Sequence, residues 1–158
     1  GYVKDLHGQK ATYYQVNATY YSALGCDDAS MLLARAIHLF MPGKPQVWYL
    51  DLFAGENNLA AVERAGSGGH KEINRTNLSA DDLEAGLARP VVQRQIDLLR
   101  FRNTHPAFGW DAELTASGEG SVLTLEWSRE GHTARLEADL ATRAFRITAD
   151  GTDLDSQG

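Results

Sequence analysis

Pro42-Gly43-Lys44-Pro45-Gln46-Val47-Trp48-Tyr49-Leu50 is the stretch on which the fold reading turns. Pro42 and Gly43 stop the helical pattern that precedes them, and Pro45 biases the residue before it toward extended backbone. Val47 to Leu50 then forms a short apolar run with no polar alternation, the pattern of a strand buried on both faces of a parallel sheet. Nothing else in residues 1–105 reads as a parallel partner, and unpaired buried backbone groups are costly. Residues 1–105 are therefore expected not to fold alone. The strand needs a partner from further chain or from a second copy in a homodimer.

Upstream, Asp27-Asp28-Ala29-Ser30 supplies N-cap chemistry, and Leu32, Leu33, Ala36, Ile37 and Phe40 recur at helical spacing. Tyr2 to Ala18 mixes aromatic and polar residues without either period and is expected to be an ordered loop. Downstream, Gly66-Ser67-Gly68-Gly69 opens a segment whose Lys71 to Arg75 motif is expected on a loop. That glycine run lacks the Lys-Ser/Thr continuation of a phosphate cradle, so flexibility accounts for it better. Ser79 and Asp82 have the spacing of a capping arrangement for a short helix through Leu87. Pro90 fits the first turn of another helix, with Val91, Val92, Gln95, Ile96, Leu98, Leu99 and Phe101 facing inward until Asn103-Thr104-His105-Pro106. Its arginines, Arg89, Arg94, Arg100 and Arg102, are expected in solvent or against acidic side chains.

From Gly109 the period changes to two. Gly118-Glu119-Gly120 and Arg129-Glu130-Gly131 read as turns between antiparallel strands near Asp111–Ala116, Ser121–Ser128, Thr133–Asp139 and Ala144–Ala149. Thr152 to Gly158 has no apolar anchor and is expected to fray.

The chain has 158 residues, 43% of them hydrophobic and 23% charged, an ordinary composition for one domain or two small ones. A formal charge of −6 argues against nucleic acid or an anionic membrane as the main partner. The single Cys26 excludes an internal disulfide, and no apolar run has the length of a membrane span or signal-peptide core, so a cytoplasmic setting is the default expectation. Sequons at Asn17, Asn74 and Asn77 would matter only in a secreted protein. His38 reads as a packed histidine, and His7, His70, His105 and His132 have no mutual metal-site spacing. No metal or cofactor is implied.

Three segments carry a family resemblance: Tyr14-Gln15-Val16-Asn17-Ala18-Thr19-Tyr20-Tyr21-Ser22-Ala23-Leu24-Gly25, the Pro42 to Leu50 stretch, and Gly69-His70-Lys71-Glu72-Ile73-Asn74-Arg75-Thr76-Asn77. Together they resemble the C-terminal part of the sucrose phosphorylase branch of the α-amylase superfamily. The resemblance implies an α/β plus β fold: the last strand and helices of a (β/α)8 barrel over residues 1–106, incomplete here, then a small antiparallel β domain over 107–158. It implies a parent enzyme, a retaining hexosyltransferase that moves glucose from sucrose or a related α-glucoside to inorganic phosphate. The catalytic carboxylates of the branch precede the Tyr-Gln-Val-Asn segment, so no catalysis is expected from this chain without the remainder of the barrel.

By the same resemblance Arg75 would reach glucosyl hydroxyls, Tyr14 and Gln15 would lie on a mobile loop serving acceptor and phosphate, and Lys71 would stand beside the acceptor. Lys71 departs from the Gly-Arg-Asp-Ile-Asn-Arg pattern associated with unmodified sucrose and favours an anionic acceptor, sucrose phosphorylated on fructose or glucosylglycerate. Tyr14 keeps the plain sucrose pattern. Glu56-Asn57-Asn58 and Asp51, at the end of the expected strand, would occupy a functional face of the barrel. Simpler readings stand beside these: Arg75 paired with Glu72 or Asp81, Lys71 in solvent, Tyr20 and Tyr21 as buried anchors, and Asp51 as a cap or an ion-pair partner. Two other accounts of the chain are a carbohydrate-binding or interaction module and a structural fragment released at an exposed loop.

Overall fold

The computed structural model describes residues 1–5 and 13–154. The chain divides into two compact units, one of Gly1–Met31 and Val47–Gln93, the other of Leu32–Gln46 and Arg94–Gly158.

The first unit opens with strands β1 (Tyr2–Asp5) and β2 (Tyr13–Asn17), paired antiparallel with Val3 opposite Val16 and Lys4 opposite Gln15. The segment expected as a loop is thus a ribbon at both described ends. Its Tyr and Val residues favour extended backbone, and a two-stranded ribbon can satisfy its own backbone groups without the alternating apolar face that a sequence pattern reveals. Residues 6–12, with His7, lie outside the described residues. A single helical turn α1 (Tyr20–Ala23) follows, capped by Thr19, whose hydroxyl accepts from Ser22 N at 3.2 Å. Helix α2 (Asp28–Phe40) begins at Asp27, which accepts from Ser30 N at 2.8 Å as its cap chemistry predicts.

The strand expected at Val47–Leu50 is not present. Trp48 is the extended N-cap of a one-turn helix, α3 (Tyr49–Leu52), and only Leu50 of the apolar run is buried, at 2% exposure, whereas Trp48 and Tyr49 are 49% and 38% exposed. The cause is the missing ladder. With no parallel neighbour among the described residues, the backbone closes locally, Leu52 N donating to Trp48 O at 3.0 Å and Phe53 N to Tyr49 O at 3.2 Å. An apolar run this short is compatible with either state.

Helix α4 (Leu59–Ala65), which the sequence reading missed, starts at Asn58, whose side-chain oxygen accepts from Ala61 N at 2.9 Å. The motif expected on a loop forms a 3₁₀ helix, Gly69–Asn74, anchored by fully buried Ile73. Helix α5 (Ala80–Leu87) has the anticipated capping box, with Ser79 and Asp82 bonded reciprocally. Helix α6 (Pro90–Thr104) has Pro90 in its first turn and buries Val91, Val92, Gln95 and Leu98.

The second unit is built on a five-stranded antiparallel meander, β3 (Glu113–Glu119), β4 (Val122–Arg129), β5 (His132–Asp139), β6 (Phe145–Ala149) and β7 (Thr152–Asp153), in that spatial order. Two of its two-residue turns use positive φ at both positions, Glu130 and Gly131 and again Asp150 and Gly151, and the third, Gly120-Ser121, has it at Gly120 alone, as right-twisted hairpins require. Leu125 and Trp127 of β4, Ala134, Leu136 and Ala138 of β5 and Ile147 of β6 form one apolar face. Against it pack Leu33, Ala36, Leu39 and Phe40 from α2 and Leu98 from α6. Each such large aliphatic contributes about 1.5–3 kcal/mol on burial, which explains how so small a sheet is held. The order of helices followed by a small antiparallel sheet is the one the sequence implies.

Two corrections belong to the ends of these elements. Thr152–Asp153 is not frayed: it pairs with β6, and Leu154 donates its N–H to Ile147 O at 3.0 Å and packs on the core. Residues 155–158 lie outside the described residues. Of the arginines expected in solvent or on acids, Arg100 pairs with Asp97 at 3.1 Å, but Arg89 donates to the carbonyls of Phe53 and Ala54 at 2.9 and 3.3 Å. Arg102 lies over the rings of Phe108 and Trp127, at 4.3 and 5.2 Å from their centroids. Guanidinium groups stack on aromatic faces and fork onto carbonyls, options that a count of charges does not reveal.

Candidate functional site

The two motif segments meet in the first unit. Strand β2, which carries Tyr14 and Gln15, lies beside the 3₁₀ helix Gly69–Asn74, which carries Lys71 and ends at Arg75. Side-chain amides fix this juxtaposition. Asn74 donates from Nδ2 to Ala18 O at 3.3 Å, just beyond β2, while its own carbonyl accepts the indole N–H of Trp48 at 3.0 Å. Asn58 N donates to Ile73 O at 2.8 Å, and Asn58 Nδ2 to the Thr76 hydroxyl at 3.1 Å. Tyr49 donates its hydroxyl proton to Thr76 O at 2.7 Å. The 3₁₀ helix is therefore held at its C-terminal end by four bonds from the Trp48–Asn58 segment and one to the Ala18 backbone.

The same segment fixes the start of α1. Asp51 Oδ1 accepts from Tyr20 N and Asn57 Oδ1 from Thr19 N, both at 2.7 Å, and Asn57 N donates back to the Ser22 hydroxyl at 2.9 Å. Unsatisfied N–H groups at a helix start attract acceptors, and here the acceptors come from residues more than thirty positions away. Asp51 thus takes the capping role weighed for it. Tyr21 also behaves as an anchor: its ring is 7% exposed and its hydroxyl donates to Asp28 Oδ1 at 2.8 Å, a bond that, with burial, raises its pKa. Arg89 stands 5.8 Å from the Tyr21 ring centroid.

Arg75 is half-exposed and its NH1 pairs with Glu72 Oε1 at 3.3 Å, one of the two structural pairings considered for it. Lys71 is partly exposed and, among the described residues, makes no ion pair. His70 Nε2 is buried with no hydrogen-bond partner among the described residues. For Tyr14 and Gln15 the structure gives the strand and its register, Gln15 opposite Lys4. The structure therefore brings the four sequence-predicted residues to neighbouring backbone elements. The sequence places Asn57 and Asn58 on a functional face after the apolar run and Asn74 inside the motif; what it does not reveal is that the three bridge distant backbone segments, although Asn commonly caps and bridges backbone in loops.

No family model matches the chain. It is 57% identical over 94% of its length to a sucrose 6(F)-phosphate phosphorylase of Ilumatobacter coccineus, and 42% identical over 87% to a sucrose phosphorylase of Agrobacterium vitis. The crystal structure of a sucrose 6F-phosphate phosphorylase from Thermoanaerobacter thermosaccharolyticum superposes with a TM-score of 0.81 over 90% of this chain at 38% identity. The chain spans 29%, 28% and 29% of the length of these three proteins.

Proposed function

Because this chain belongs to the sucrose phosphorylase family, in which it matches a C-terminal part, we propose that it supplies the end of the barrel and the β domain of a retaining glucosyl phosphorylase. The partition at 106/107 between barrel and β domain is part of that proposal. The parent enzyme transfers glucose from sucrose or a related α-glucoside to inorganic phosphate and releases glucose 1-phosphate. Retention requires two carboxyl groups about 5–5.5 Å apart across the scissile bond. In the candidate site Asp51 is bonded to Tyr20 N and Glu72 to Arg75, so this part contributes binding rather than the chemical step. Catalysis needs the remainder of the barrel.

The observation that carries the reading is the clamping of the Lys71–Arg75 motif beside the strand of Tyr14 and Gln15 through Asn74. Held there, Arg75 offers a planar fork for glucosyl hydroxyls once it exchanges Glu72 for substrate, and Lys71 offers a point charge. An anionic acceptor is favoured by one further observation: Lys71 has no carboxylate partner among the described residues and is free to meet a phosphate. The relative at 57% identity, which is a sucrose 6(F)-phosphate phosphorylase, supports the same choice. Glucosylglycerate, also anionic, is the other substrate this charge would serve.

The test is phosphate-dependent release of glucose 1-phosphate by the full-length protein that carries this chain, from sucrose, sucrose 6F-phosphate and glucosylglycerate in parallel. Turnover highest with sucrose 6F-phosphate is the expected result. Turnover highest with unmodified sucrose overturns the role given to Lys71, and release from none of the three overturns the phosphorylase reading.

A further inference from the structure

A groove of about 890 Å³ in the second unit is lined by the Pro42–Pro45 turn, the end of α6 and the approach to β3. Its volume lies within the range of small-molecule sites. Two features set it apart from ordinary surface. Trp110 stands 97% exposed at its edge, with Phe108 and Trp127 as further aromatic lining. A fully solvated indole gives up the largest apolar gain available to any side chain. Its cations are also unopposed. Lys44 and Arg102 both line the groove, no Asp or Glu does, and neither cation has a carboxylate partner among the described residues. The nearby Asp111 is taken by Arg129 Nε at 2.7 Å. In a chain of formal charge −6, two unpaired cations facing one aromatic groove are a local reversal of sign.

Arg102 is the better built of the two. One amino group donates to Gly43 O at 3.2 Å, the guanidinium lies 4.3 Å from the Phe108 centroid, and its Nε is buried without a hydrogen-bond partner. Burial lowers its pKa from the ordinary value, a sign that the charge is poorly solvated where it stands. An anion arriving in the groove would restore that solvation. Asn103 adds an amide that can donate and accept.

We propose that this groove binds an anionic sugar of the hexose phosphate class, the sugar ring stacking its C–H face on Trp110 and the phosphate held between Lys44 and Arg102. A neutral sugar would leave the two cations unanswered, and inorganic phosphate alone would leave the indole bare. The combination of aromatic face, two cations and amide fits the sugar and the anion together. The inference is independent of the acceptor proposed above, because none of Tyr14, Gln15, Lys71 and Arg75 lines the groove.

The test uses the full 158-residue chain and follows its tryptophan fluorescence on addition of glucose 1-phosphate, with glucose and inorganic phosphate as separate probes. Saturable quenching by glucose 1-phosphate with a Kd of roughly 1 mM is expected, a binding free energy of about −4 kcal/mol, with each separate probe at least roughly tenfold weaker. Trp110→Ala, at a site too exposed to affect folding, and Lys44→Gln should each weaken binding roughly tenfold with unchanged near-ultraviolet circular dichroism, binding of the Trp110 variant being followed calorimetrically. Unsaturable quenching, equal binding of glucose, equal binding of phosphate, or wild-type affinity in the Trp110 variant each overturns the proposal.

Discussion

Trp127 donates its indole N–H to the carbonyl oxygen of Phe40 at 2.7 Å, with both residues buried. Phe40 is the last residue of α2, where helix carbonyls lose their intrahelical donors, so the bond from β4 satisfies a group that water cannot reach. Trp127→Phe keeps an aromatic ring but removes the donor. The expected cost is about 1–3 kcal/mol for the stranded carbonyl, with some added loss of packing. Urea denaturation of the two proteins checks it: the midpoint should fall with an unchanged slope, and an unchanged midpoint would show that another donor replaces the indole.

Asn57 performs two bonds for one segment, accepting from Thr19 N and donating its own N–H to Ser22. Asn57→Ala removes only the first. Thr19 is fully buried, so its amide would be left without a partner, and a local loss of about 1–3 kcal/mol is expected. Amide hydrogen exchange resolves the effect by position, with Thr19 protection falling by roughly tenfold or more and that of Leu136 on β5 unchanged.

Arg75 and Lys71 separate binding from stability. The Arg75–Glu72 pair is exposed and three residues apart, a class worth at most about 1 kcal/mol, so Arg75→Ala should leave the melting behaviour nearly unchanged. In the full-length protein the same change should lower turnover roughly 100-fold or more if the fork contacts the glucosyl group. Lys71→Gln should raise KM for sucrose 6F-phosphate roughly tenfold while sparing unmodified sucrose. Loss of stability with unaltered kinetics would return Arg75 to the structural role.

What the sequence reveals and conceals follows from how far each signal reaches. The capping box at Ser79 and Asp82, the Pro90 start of α6 and the two-residue periodicity of β4 and β5 are local, and each appears where the residues place it. Val47 to Leu50 fails because a buried parallel strand is defined by its neighbours, and without them Trp48 becomes a helix cap. The β1–β2 ribbon was hidden for the opposite reason: its pairing is self-sufficient and imposes no apolar alternation. In the candidate site the motif residues, Asn74 among them, are legible by resemblance and Asn57 and Asn58 by their place after the apolar run, whereas the bridges these asparagines make are not. Their long-range side-chain bonds span 18 to 56 positions, and an Asn in a loop does not announce its distant partner.

Asp139 closes the turn between β5 and β6 with its carboxylate. It accepts from the Ser121 hydroxyl at 2.7 Å, the Thr142 hydroxyl at 2.8 Å and Ala141 N at 2.9 Å, and these bonds lower its pKa from 3.8 to about 2. Bonds to the ionised form favour it, so the folded state holds this proton less tightly than the unfolded chain does. The resulting stability is complete above the unfolded value of 3.8 and is lost as pH falls through the folded value of about 2. Nuclear magnetic resonance titration of the Asp139 carboxyl should give a midpoint near 2 in the native protein. Asp139→Asn, which cannot titrate, should show a shallower loss of stability between those two pH values than the wild type. An identical acid profile for the two proteins would mean that solvent already satisfies the three donors when Asp139 is protonated.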